Sequence, residues 1–200
     1  MEFTLADGDP ESFHRLVSSI VVPRPIGWMS SQDEAGRVNL APFSYFTVAS
    51  TAPPVLVFSC EERDDGSRKD TPSNVIDTGE FVYNLVTEDV IEQVDRSSAP
   101  LAPDENEFEV TDLTEAPSAT VSPPRVAEAA AHFECELEET LDVYGNTVVL
   151  GRVRHAHVDE SLLDDGNVDA RAVDAVGRMG GPYYTGVRLL SVRREFDPDL

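Results

Sequence analysis

The chain has 200 residues, of which 38 are acidic and 15 basic, giving a net charge of −23 and a pI near 4.3. Such a surface repels nucleic acid and anionic membranes, and with no long apolar run or basic leader the sequence predicts neither a membrane span nor a signal peptide. One cytoplasmic domain over residues 1–200 is expected, large enough to bury its own core.

The acidic residues are spread over the whole length rather than gathered in a tail. That pattern reads as the coat of a halophile's protein. In molar salt the Debye length falls to roughly 3 Å, so an anionic cofactor can still reach a locally basic pocket. Fourteen of the fifteen basic residues are arginine; Lys69 is the only lysine.

Along the chain, Asp9-Pro10-Glu11 is a helix start, with an apolar stripe of Phe13, Leu16 and Val17 and an end near Ser19. Pro23 and Pro25 hold an extended entry. Ile26–Ser31 and Arg37–Ala41 read as strands joined by a turn at Asp33-Glu34-Ala35-Gly36, and Pro42 places the pair at a sheet edge or bulge. Phe43–Ala49 and Val55–Cys60 are further strands around the Pro53-Pro54 break. A charged loop, Glu61–Arg68, precedes a short helix that opens at Thr71-Pro72, runs through Asp77 and stops at Gly79. Phe81–Val86 is a strand, and Glu88–Ser97 a helix with Thr87 as its cap.

Residues 98–124 read as an ordered excursion punctuated by Leu101, Phe108 and Leu113. Two long strands, Ala131–Val143 and Thr147–Val158, flank a tight turn at Gly145-Asn146. An acidic loop over Leu162–Val176 leads to a glycine-rich segment and a last strand near Gly186–Arg193. Strands dominate and no βαβ rhythm appears, which points to an antiparallel barrel or sandwich with peripheral helices.

For chemistry, the sequence offers no GxGxxG at a strand–helix junction, no P-loop and no nucleophile elbow. Cys60 and Cys135 are isolated and read as small buried hydrophobes. His155 and His157 share one strand face and read as a surface pair, so neither a metal centre nor a catalytic triad is expected. Lys69-Asp70-Thr71-Pro72-Ser73-Asn74 is more telling. A cation stands just before a helix whose first turn offers free N–H groups, a hydroxyl and an amide, the makings of a phosphate site. The same residues would serve an ordinary capped helix; the chain's single lysine favours the phosphate. Upstream, Pro23–Cys60 is rich in hydroxyls, an amide and aromatics, including Trp28, Tyr45 and Phe46, which suit either a flat polar ligand or a barrel core.

The runs RPIGWMSSQDEAGRVNLAPFSYFTVASTAPPVLVFS and RKDTPSNVIDTGEFVYNLV, with PLAPDENEFEVTDLTEAPSATVSPPRVAEAAAHFECEL and GRMGGPYYT downstream, resemble the flavin reductase-like family of FMN-binding split barrels, in its flavoredoxin-type branch. The resemblance implies a mainly β fold, a six-stranded antiparallel Greek-key split β-barrel with a few short helices. It also implies a homodimer with non-covalent FMN near the subunit interface. Carried over by position, Trp28, Ser30 and Ser31 would lie along the flavin. Asn39, Ala41, Ser44, Tyr45 and Phe46 would surround the ring and ribityl chain, and Ser59 would follow them. Lys69, Asp70, Thr71 and Asn74 would hold the phosphate, with Arg178 and Tyr183 near the mouth. The implied activity is an NAD(P)H-dependent flavin reductase, using NADH or NADPH and passing electrons through FMN to a free flavin or a redox protein. The alternative is a flavoredoxin-like electron carrier with no nicotinamide site of its own.

Overall fold

A computed structural model describes residues 2–4, 9–101 and 105–190. Its centre is a seven-stranded antiparallel sheet built from β1 (Gly27–Gln32), β2 (Val38–Phe43), β3 (Phe46–Thr51), β4 (Pro54–Glu61), β5 (Glu80–Asn84), β6 (Ala131–Asp142) and β7 (Asn146–Val158). The ladder runs in the order β2-β1-β5-β6-β7-β4-β3. The fold is mainly β with few helices, as expected, but the expected count of six strands is corrected to seven. The reason lies at Ser44–Tyr45, where the chain bends out of the sheet. Before the bend it pairs with β1, with Pro42 opposite Trp28, and after it with β4. Proline donates nothing to a ladder, and β2 holds the edge position that this demands. β2 and β3 therefore stand at opposite edges of the sheet although two residues separate them in the chain, and the ladder stays open between them.

Side chains alternate across each strand, and here both faces are covered. On one face Met29, Leu56, Phe58, Phe81, Cys135 and Val149 pack together, closed at one end by Val75 of helix α2 (Asp70–Thr78). On the other, Trp28, Ile26 and Leu40 pack under Val86, Val90, Val94, Phe108 and Val126. That second core is roofed by α3 (Ile91–Arg96), α4 (Glu107–Thr111) and the strand pair Glu115–Ala116 with Arg125–Val126. The described parts of the excursion, 98–101 and 105–124, thus include the cover of the outer face of β1.

Helix α1 spans Pro10–Ile20 and buries no residue; the Asp9 carboxylate makes no cap bond, and its carbonyl accepts from Ser12 and Phe13 instead. Thr87 likewise makes no side-chain cap, and the segment after it is a 3-10 turn (Glu88–Val90) before α3. The long hairpin turns at Tyr144-Gly145 (φ 49° and 77°), one residue earlier than expected. Val143 and Asn146 exchange backbone bonds there, a two-residue loop whose central positions both need positive φ. The last short sheet joins Arg24–Pro25, Val176–Arg178 and Tyr184–Gly186. The expected final strand thus starts and ends earlier, and residues 191–193 lie outside the described ones. No helix among the described residues is long and apolar enough to cross a membrane.

Candidate functional site

Helix α2 is set by its own sequence. Lys69 is extended at the N-cap, Pro72 sits in the first turn where its missing N–H costs nothing, and Gly79 ends the helix at φ 78° with its N–H on Val75 O at 2.9 Å. Thr71 and Asn74, three apart, share one face, and that face meets the sheet. Asn74 Nδ2 donates to Ser31 Oγ (3.2 Å), while Asn39 Nδ2 donates to Thr71 Oγ1 (2.8 Å) and more weakly to Ser31 Oγ (3.4 Å). Four of the residues singled out from the sequence therefore form one hydrogen-bonded cluster at the start of α2. Ser31 accepts from both amides, which leaves its own O–H to donate.

Two cations flank this cluster. Lys69 is exposed at the helix start. Arg63, which the sequence reading passed over as part of a charged loop, reaches across to Asp70 with Nη2 at 2.8 and 2.9 Å from the carboxylate oxygens. The loop is held in shape by Arg63 N–H to Ser67 O (2.8 Å) and by the Arg63 guanidinium on Arg68 O. Burial pushes the Cys60 thiol up to about 11, against the pull of Lys69 and Arg63. Cys60 is thus an inert neighbour of the two cations, not a nucleophile. Cys135 is buried and its thiol is pushed higher still. Glu107 closes the edge by accepting from Leu40 N–H (3.1 Å), its carboxyl raised by burial and by the charge of Asp70.

A second group gathers at the Ser44–Tyr45 corner. Tyr45 O accepts from Ser59 N–H (2.9 Å), and Tyr45 Oη pairs with Nε2 of His14 on α1 (2.8 Å). The Arg24 guanidinium lies 5.7 Å from the Tyr45 ring centroid and donates from Nε to Ser44 Oγ (3.4 Å). Ala41 stands opposite Met29 in the ladder, on the Asn39 face of β2. Phe46 turns inward and stacks on Tyr83 (5.0 Å, 13°), which stacks on Phe133 (5.5 Å, 16°). Burial lifts the Tyr83 phenol to about 12.

Trp28 and Ser30 are not brought to these groups. They occupy the other face of β1, where Trp28 has no exposed surface and donates Nε1–H to Ser97 Oγ (3.0 Å). Ser30 bonds to Pro124 O there. Arg178 lies over the Tyr184 ring at 4.7 Å, and Tyr183 is exposed.

The histidines are a correction. His157 is no simple surface residue: Nε2 donates to the buried carboxylate of Glu134 (2.6 Å), which also accepts from Ala119 N–H, Thr120 N–H and Thr120 Oγ1. Burial alone would raise the Glu134 pKa, but these bonds outweigh it and bring it to about 2. His155 packs on His157 with centroids 4.6 Å apart. Among the described residues no group of three or more His, Cys, Asp or Glu side chains is arranged to hold a metal ion.

The gathered chemistry is therefore hydroxyls, amides and two cations at one end, and an aromatic corner at the other. It can hold a polar ligand with an anionic end, and its imidazole–phenol contact is that of His14 with Tyr45. The chain belongs to the flavin reductase-like domain family, whose match covers residues 18–177. It is 42% identical over 185 residues to an uncharacterised protein of Aquifex aeolicus, covering 92% of this chain and 94% of that one. Among solved structures it is similar to nitrilotriacetate monooxygenase component B from Bacillus cereus, with a TM-score of 0.89, 29% identity and 95% and 96% of the two chains covered. It is also similar to the 2-nitrobenzoate 2-nitroreductase of Pseudomonas fluorescens, with a TM-score of 0.88, 26% identity and 98% of each chain covered.

Proposed function

We propose that the chain is a single-domain, cytoplasmic, NAD(P)H-dependent flavin reductase that binds FMN without a covalent bond. The observation that carries this reading is the convergence of Ser31, Asn39, Thr71 and Asn74 at the start of α2, beside Lys69 and Arg63. Neutral hydroxyls and amides suit a polyhydroxyl chain. A helix N-terminus with two adjacent cations suits a phosphate. Bound FMN would supply the redox chemistry, accepting a hydride equivalent and releasing electrons.

The chain's own residues have simpler tasks. Lys69, Arg63 and the first turn of α2 hold the anionic end; Asp70, in this reading, keeps Arg63 in place through their ion pair. Ser31, Asn39, Thr71 and Asn74 orient the middle, and the 41–46 segment with Ser59 lines the ring end. In this reading no side chain needs to move a proton, because hydride transfer to the flavin requires none. A homodimer fits the apolar side chains that α1 and the chain just after it leave exposed, Val17, Ile20 and Val21. The acid coat fits a halophilic source.

The test is anaerobic addition of NADH or NADPH to the FMN-loaded protein in high salt. Bleaching of the yellow chromophore within seconds is expected. A chromophore that bleaches only with dithionite or a protein donor would replace the reductase reading with that of an electron carrier.

A further inference from the structure

Arg24 is 8% exposed, and the site as described leaves it without a task. Its guanidinium donates to the carbonyls of Ser18, Val21 (3.1 Å) and Met179 (3.2 Å) and to Ser44 Oγ (3.4 Å). All four acceptors are neutral. The other arginines that form ion pairs among the described residues are partly or well exposed, and Arg24 takes part in none of those pairs. In a chain with 38 carboxylates, a buried cation that no carboxylate of the described residues pairs is unexpected, because buried charges are ordinarily paired.

Hydrogen bonds explain its placement, since the fork ties together the end of α1, the 179 segment and the Ser44–Tyr45 corner. They do not neutralise its charge. A full positive charge therefore remains in a low-dielectric environment, 5.7 Å from the Tyr45 ring and in contact with Ser44. There its field is far less screened than that of a surface residue.

We infer that Arg24 is a positioning and electrostatic residue of the cofactor site, whose uncompensated charge makes the site bind the reduced flavin in preference to the oxidised one. This rests on the flavin reading. Hydride uptake brings two electrons and one proton from the reduced nicotinamide, which leaves as the oxidised cation, so the bound flavin becomes one unit more negative. A nearby buried cation stabilises that state selectively, whereas a hydrogen-bonding or packing role would act on both states alike. Neutral acceptors serve this purpose better than a carboxylate, which would cancel the field while holding the fork equally well.

The experiment measures two quantities for FMN on the full-length protein: the dissociation constant of the oxidised form and the midpoint potential of the bound form. Together they give the affinity of the reduced form. Arg24→Met is expected to weaken reduced FMN on the order of tenfold more than oxidised FMN, as loss of a charge several ångströms away implies, and Arg24→Lys is expected to retain most of the difference. Because Arg24→Met removes the tie between three segments and can fail to fold, Arg24→Gln provides a second route. It keeps an amide donor for the same neutral acceptors without the charge, and should produce the same selective loss that Arg24→Lys does not. Equal weakening of both redox states in Arg24→Met or Arg24→Gln would overturn the inference and leave the flavin reading intact. A wild-type protein that takes up no FMN at all would overturn both.

Discussion

In the proposed site, Lys69 and Arg63 would divide the anionic end between them on different terms. Lys69 is free to swing toward a phosphate, while Arg63 is held by Asp70 (2.8 Å) and by the backbone of its own loop. Lys69→Ala should weaken FMN binding by about 1.5 kcal/mol, the lower end for a charged hydrogen bond because the position is open to solvent, as read by fluorescence quenching. Asn74→Ala removes the amide that bonds Ser31 and should lower stability by about 1–2 kcal/mol, measured by urea denaturation. Glu134 sets a pH dependence. Its carboxyl is held at about 2, below the ordinary 4.5, so the stability it contributes is complete above pH 4.5 and lost as the pH falls toward 2. His132 acts in the same direction. Burial lowers its pKa below 6.5 and its Nδ1 has no partner, so below pH 6.5 the unfolded chain takes up the proton more readily. Melting temperature should fall steadily from pH 7 to 3. The gap between wild type and Glu134→Gln should shrink below pH 4.5; a constant gap would show that the Glu134 charge contributes nothing.

At the scale of elements, what could be read from sequence depended on whether a signal was local. The start and stop of α2 were legible because Pro72 and Gly79 act through their own backbones. The edge position of β2 was legible because Pro42 lacks a donor. The face assignment of β1 was not: Gly27–Ser31 is buried throughout, so no polar–apolar alternation marks which side faces α2, and Trp28 and Ser30 could not be separated from Ser31. Arg63 was hidden for a different reason, since the turn that aims it at Asp70 is closed by backbone bonds across five residues. The division of 38–51 into two strands was legible at Pro42, but the bend falls at Ser44–Tyr45 and the placement of the two strands at opposite edges depends on partners far away in the chain. Gly151 shows a further constraint that only the packing reveals. It lies at a register shift between β6 and β7, and a Cβ there would stand 2.2 Å from the Phe81 ring. Gly151→Ala should cost about 1–3 kcal/mol through overpacking of the inner core, measured as a drop in melting temperature; an unchanged value would show that Phe81 has room to move.

At the scale of the whole molecule the net charge of −23 dominates. Repulsion among surface carboxylates destabilises the compact state at low ionic strength, and salt screens it. The melting temperature should therefore rise markedly between low and molar salt, and a flat profile would remove the case for a halophilic source. The same excess of negative charge opposes any anionic ligand, so the proposed binding of FMN would need the local cations at the start of α2. The most direct test of that placement is a paired titration of the flavin-free protein with FMN and with riboflavin, which lacks the phosphate, in high salt. The expected result is that FMN binds at least about tenfold more tightly and that Lys69→Ala narrows the difference. Equal affinity for the two, or no binding of either, would contradict a flavin phosphate held by Lys69, Arg63 and the first turn of α2.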